Sequence, residues 1–140
     1  MSINILLVVA SLSLANMAFA DKNMQSTNPP TSKVLLEATQ SWDGTPYQAY
    51  PEGQPELSIL KISIPANSTL KWHQHPVPNA AYVLSGELTV EAKEGGKSIR
   101  IKAGETLAEI VDIIHRGKTG NTPVELVVFY AGAAGTPLSR

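Results

Sequence analysis

The chain has 140 residues, with eleven Lys and Arg, twelve Asp and Glu, three His and a net charge of −1. The charges are interspersed without a basic stripe or cluster, which argues against nucleic acid and anionic membrane surfaces as partners. There is no cysteine, so disulfides and sulfur-ligated metal are excluded and packing has to supply the stability.

The first twenty residues differ from the rest. No charged residue occurs from Ile3 to Ala20, Ile5 to Leu14 is strongly apolar, and Ala18-Phe19-Ala20 ends the run. That small-x-small ending suits the narrow subsites of a signal peptidase. Residues 1–20 are therefore expected to be a signal peptide cleaved after Ala20, leaving a periplasmic or secreted protein with no membrane contact in its mature form. A retained anchor is the competing reading. The apolar run is short for a span of roughly 20 residues, and the first twenty residues also hold Asn4, Asn16 and three serines.

Residues 21–40 open on the polar stretch DKNMQSTNPPTS and read as a flexible lead, with room for an edge strand nearer its end. The domain proper is expected over residues 41–135, followed by a short tail over 136–140. Gly44, Pro46, Pro51, Gly53 and Pro55 exclude a helix over 41–55. Trp42, Tyr47 and Tyr50 point to an ordered loop lying on the main body or on a neighbouring subunit. From Glu56 onward, short apolar runs alternate with turn signals. Strands are predicted over Leu57–Ile64, Thr69–His75, Ala80–Leu84, Glu87–Glu91, Ser98–Ile101, Thr106–Ile114 and Val124–Tyr130. Ser85-Gly86 closes a hairpin, and Gly117–Pro123 reads as a turn. No window shows a 3.6-residue period, so the fold class is all-β, one antiparallel sandwich or barrel.

The chemistry rests on the histidines. His73 and His75 form H-x-H on a predicted strand, where side chains two residues apart share a face at about 7 Å. Two imidazoles so placed can converge on one ion with bonds of about 2.0–2.2 Å. The only other histidine is His115.

These residues sit in a wider pattern that resembles the two motifs of the cupin superfamily. In the first motif Asn67 takes the opening Gly, His73-Gln74-His75 supplies the pair, Asn79 falls where Glu is usual, and Gly86 closes at the expected spacing. In the second, Gly96 opens, Lys102-Ala103-Gly104 replaces Pro-x-Gly, and His115 is the only available ligand. Ten residues separate Gly104 from His115, longer than the family's usual gap. Asn121-Thr122-Pro123 resembles the turn that follows.

The resemblance implies a single-domain cupin-type jelly-roll β-barrel, often a homodimer, with one divalent metal ion at the centre of its cavity. The implied ligands are His73, His75 and His115, with Asn79 as a candidate fourth in place of the usual Glu. Iron, zinc, copper, nickel and manganese all remain open as the cofactor. Without that Glu the ion would keep its full double charge, which favours an anionic or enolate-like ligand. Extended-strand counting puts Glu109 about 20 Å from His115, within reach only through a bulge. Glu56 shares its parity with the inward Leu60 and Ile62. Lys71 and Arg116 flank the ligands and are expected to be solvated; Trp72 is expected to face away from them. With no general base in evidence, the expected activity is oxygenase-like chemistry on a small organic molecule. The alternative is a non-catalytic protein that binds a small ligand or a metal chelate.

Overall fold

The computed structural model describes residues 28–140; the signal peptide assigned to 1–20 and residues 21–27 of the lead lie outside the described residues. Residues 33–140 form one unit. Its strands are β1 (Pro55–Ile64), β2 (Asn79–Ser85), β3 (Glu87–Ala92), β4 (Ser98–Lys102), β5 (Thr106–Ala108), β6 (His115–Thr119) and β7 (Val124–Ala133). They form two antiparallel sheets, β1-β7-β2-β5 and β4-β3-β6, the all-β layering that the alternation of apolar and polar residues predicts and the jelly roll that the cupin resemblance implies.

Alternation fixes which side of each sheet faces in. On β1, Leu60, Ile62 and Ile64 pair across the ladder with Val128, Leu126 and Val124 of β7, and all six belong to or pack on one apolar core. From the second sheet, Leu88, Val90 and Ile101 close that core. Each fully buried Val or Leu contributes about 1.5–3 kcal/mol of transfer free energy. A one-residue slip of register would turn the whole set outward, so the pairing is strongly specified.

Gly86 makes the tight link between β2 and β3 possible. Its φ is +80°, and a Cβ there would run into the backbone carbonyl of Pro123. Gly86→Ala would impose a left-handed conformation costing about 1–2 kcal/mol as well as a clash with main chain. The variant is expected to lose at least about 2 kcal/mol in urea unfolding. An unchanged unfolding midpoint would contradict this account of the link.

Three segments depart from the sequence expectation, and two of them shape the site. Thr69–His75 is not a continuous strand; it joins the sheets only through single bridges Thr69↔Lys118, His73↔His115 and His75↔Val111. Thr106–Ile114 is not one strand either. It ends at Ala108, and residues 109–114 take an irregular path in which Asp112 adopts φ +56° while its N–H donates to the His75 carbonyl at 2.8 Å. The start of the expected turn over 117–123 is instead strand β6, ending at Thr119. Ahead of β1, residues 33–39 are exposed and belong to no strand, though Leu35 accepts a hydrogen bond from the Thr106 hydroxyl at 2.9 Å. In the aromatic loop, Trp42 packs on the core, the Tyr47 hydroxyl donates to the Glu109 carbonyl at 2.7 Å, and Tyr50 is exposed.

Candidate metal centre

Backbone pairing brings the histidines together. His73 and His115 exchange two main-chain hydrogen bonds of 3.0 and 2.8 Å, the arrangement of directly opposed residues in an antiparallel ladder. Opposed side chains leave a sheet on the same side, so a residue forty positions away lands beside the H-x-H pair. The three rings lie 5.0, 4.7 and 5.0 Å apart by centroid, and their nearest ligand atoms all fall within 4.8 Å of one another.

Each ring is also held at its back. Nδ1 of His73 meets the Lys71 carbonyl at 2.8 Å, Nδ1 of His75 meets the Leu138 carbonyl at 2.7 Å, and Nδ1 of His115 meets the Ile113 carbonyl at 2.8 Å. A carbonyl only accepts, so in the neutral ring the hydrogen belongs on Nδ1 and Nε2 presents a lone pair. Carbonyl anchoring of this kind is how metal-binding proteins fix tautomer and ring orientation. Burial favours the neutral form as well. It pushes the His75 imidazole down to about 4 and lowers that of His115, against the raising effect of their carbonyl partners.

The histidines head a cavity of about 400 Å³. Its walls are apolar, with Leu60, Ile62, Leu88, Val90 and Val128 among them, and its polar end adds Glu109 and Tyr130. Lys71 reaches it from an exposed position. A second hollow of about 530 Å³ lies between residues 36–50 and the sheet. Among the described residues it is lined by no histidine or carboxylate, so the chemistry belongs to the first.

Glu109 corrects the sequence reading most sharply. Its Oε2 lies 3.6 Å from His115 Nε2, not about 20 Å away, because the chain leaves its extended path right after Ala108. The carboxylate is almost wholly buried, and burial pushes its carboxyl up to about 7. The inference that no base stands near the histidines therefore fails. Tyr130 approaches the His75 ring edge-on at 5.5 Å between centroids, and burial with the nearby Glu109 charge raises its phenol to about 12.

Asn79 is 5% exposed. Its Nδ2 donates to the Val77 carbonyl at 3.1 Å, and it is absent from the residues lining the histidine cavity. Glu56 is exposed and takes no part. Arg116 lies outside the cavity: its guanidinium caps the Trp72 ring at 4.0 Å and pairs with Glu91 at 2.6 Å. Sequence reasoning missed Tyr130 and the Leu138 carbonyl. Nothing in the composition of either segment marked them.

Opposed shifts give the metal-free protein a distinctive pH response. Glu109, raised from 4.5 to about 7, contributes stability that is present below pH 4.5 and lost as pH rises to 7. His75, lowered from 6.5 to about 4, contributes stability that is present above pH 6.5 and lost as pH falls to 4. The two nearly cancel between. In Glu109→Gln the histidine effect stands alone, so the stability of chelator-treated protein is expected to rise by on the order of 3 kcal/mol from pH 4 to 6.5. Urea unfolding at the two pH values checks it; equal slopes for variant and parent would contradict it.

The fold has matches among known proteins. A family model described as Cupin domain matches residues 60–130, half of the chain. The structure of the DMSP lyase DddQ from Ruegeria pomeroyi DSS-3 superposes with a TM-score of 0.53 at 23% identity, over 67% of this chain and 45% of that one. The polyketide cyclase RemF from Streptomyces resistomycificus gives 0.53 at 18% identity, over 63% and 61%. An uncharacterized conserved protein with a double-stranded beta-helix domain, from Klebsiella pneumoniae subsp. pneumoniae MGH 78578, gives 0.50 at 22% identity, over 67% and 91%. The chain thus spans less than half of the lyase, and at these identities the likeness is one of fold. No curated protein matches significantly. With the motif spacing, the two-sheet barrel and the family match in agreement, the chain belongs to the cupin domain family.

Proposed function

We propose that the protein is an exported, metal-dependent enzyme that holds one divalent transition-metal ion on His73, His75 and His115 and carries out oxygenase-like chemistry on a small organic molecule. The observation that carries this reading is the convergence of three carbonyl-anchored imidazoles at the polar end of an apolar cavity. The donor set suits iron, zinc, copper, nickel or manganese. When bound, the ion supplies Lewis acidity and, in a redox-active form, reactivity toward dioxygen.

The chain's own residues do the remaining work. The aliphatic walls receive the hydrocarbon body of the substrate and exclude water, which strengthens every polar interaction at the histidine end. The Tyr130 phenol, raised to about 12, stays protonated at neutral pH and can donate to a substrate oxygen. Among the described residues Lys71 is the only Lys or Arg lining the cavity, so a molecule with one polar head and an apolar body fits better than a polyanion. Glu109 favours a second reading, in which its carboxylate takes a proton from the substrate and the reaction needs no oxygen.

The same proposal includes a homodimer outside the cytoplasm. Leu57 and Ile59 are 70% and 71% exposed on the outer side of edge strand β1, with Phe129 beside them, an apolar face that a second copy would cover. A monomeric mass in sedimentation at micromolar concentration would remove that part.

The deciding experiment is elemental analysis of protein taken from its native compartment, followed by oxygen uptake with small chelating substrates. Near-stoichiometric iron or copper with substrate-dependent uptake supports the proposal. Zinc with turnover but no uptake supports the proton-transfer reading, and metal with ligand binding but no turnover marks a binding protein. No stoichiometric metal would end all three.

A further inference from the structure

We propose that Glu109 is the fourth protein ligand of the ion, so that the centre consists of three imidazoles and one carboxylate delivered from the segment beside the strand that carries Asn79. This rests on the metal-binding reading and gives it a charge: a divalent ion would keep one net positive charge in the site instead of two.

Three observations converge on it. Donors that share an ion at about 2.0–2.2 Å stand roughly 3.0–3.6 Å apart, and Glu109 Oε2 stands 3.6 Å from His115 Nε2. Both atoms are buried without a hydrogen-bond partner among the described residues. The His115 hydrogen is committed to the Ile113 carbonyl through Nδ1, so the carboxylate faces a lone pair and not an N–H. Two lone pairs in a dry cavity repel unless a cation or a proton lies between them, and an orphaned buried polar atom costs about 1–3 kcal/mol. A shared metal ion satisfies both atoms at once.

The backbone shows how the carboxylate reaches this point. The Glu109 N–H donates to the Asn79 carbonyl at 3.0 Å, which fixes residue 109 alongside position 79. Asn79 lies opposite Tyr130 in the β2–β7 ladder, so both side chains leave the inner side of the sheet. Positions 79 and 109 are therefore close neighbours, although Glu109 lines the histidine cavity and Asn79 does not. Two ionised carboxylates there would repel strongly, and the chain carries one carboxylate and one amide. The amide is turned back onto the Val77 carbonyl.

The test is titration of the full-length, chelator-treated protein with Co(II), followed by its visible absorption and by calorimetry, with Zn(II) as a second probe. The parent is expected to bind one ion. Glu109→Gln, which is nearly isosteric and removes a buried charge, should bind about 100-fold more weakly or worse, since even residues that only orient a ligand cost 10–100-fold. Its Co(II) spectrum should change as well, which a merely structural role would not produce. Glu109→Asp keeps the charge but withdraws the carboxylate by about 1.5 Å; it should weaken binding and shift the spectrum if Gln proves poorly folded. Glu56→Gln, at an exposed acid, should match the parent. Parent-like affinity and spectrum in both Glu109 variants would overturn the assignment and leave the three-histidine reading standing. A parent that binds no Co(II) or Zn(II) would remove that reading and this assignment together.

Discussion

His115→Ala is expected to weaken metal binding by about two to three orders of magnitude while leaving a folded β-protein. The free energy of a four-ligand protein zinc site is about 10–16 kcal/mol, so one ligand accounts for roughly 3 kcal/mol and its loss weakens binding by two to three orders of magnitude. His115 is the most consequential of the three. It is 2% exposed, its backbone is paired to His73 in both directions, and its Nε2 lies 3.6 Å from the Glu109 carboxylate. The variant also leaves the Ile113 carbonyl without its partner and a small void, which lowers stability by about 1–3 kcal/mol. Calorimetric titration with Zn(II), beside a thermal melt of the metal-free protein, separates the two effects. Unchanged affinity in a folded variant would contradict the proposed ligand set.

Removal of Leu138, Ser139 and Arg140 is expected to weaken metal binding by about 10–100-fold although none of the three is a ligand. Among the described residues the Leu138 carbonyl is the sole anchor of His75 Nδ1. The tail is held in place by two backbone hydrogen bonds between Gln74 and Arg140, of 3.2 and 3.0 Å, and by packing of Leu138 on the core. Without the anchor the His75 ring is free to flip and to move its hydrogen to Nε2, the atom that has to stay bare. Nitrogen chemical shifts should then report a tautomer mixture at His75 while His73 and His115 keep Nδ1–H. Loss of a half-buried leucine lowers stability by about 1–2 kcal/mol, which does not by itself alter a tautomer. Parent affinity and a single His75 tautomer in the truncated chain would refute the anchoring role.

The two-period alternation made most of the fold legible. Leu60, Ile62 and Ile64 face inward as their spacing requires, and the Ser85-Gly86 link closes β2 onto β3 because only glycine tolerates both the positive φ and the approach of Pro123. The histidine cluster was legible for a different reason: with only three histidines in the chain, motif spacing left no other assignment. The acid was illegible because distance was counted along an ideal strand. A left-handed Asp112 and the His75↔Val111 bridge bend residues 109–114, and no propensity marks that bend in the apolar, β-branched run before His115. For the same reason Thr69–His75 reads as a strand yet pairs only at isolated points. The tail could not be seen at all, since its part is played by main-chain atoms that every residue possesses. Buried polar groups met by long-range backbone contacts are the part of a site that a residue pattern conveys least.

Anomalous diffraction from crystals grown with Zn(II) or Ni(II) tests the central claim most directly. The account predicts one strong peak about 2.0–2.2 Å from Nε2 of His73, His75 and His115, with all three Nδ1 atoms still on their carbonyls. Density elsewhere, or a ring rotated so that Nδ1 faces the cavity, would contradict it.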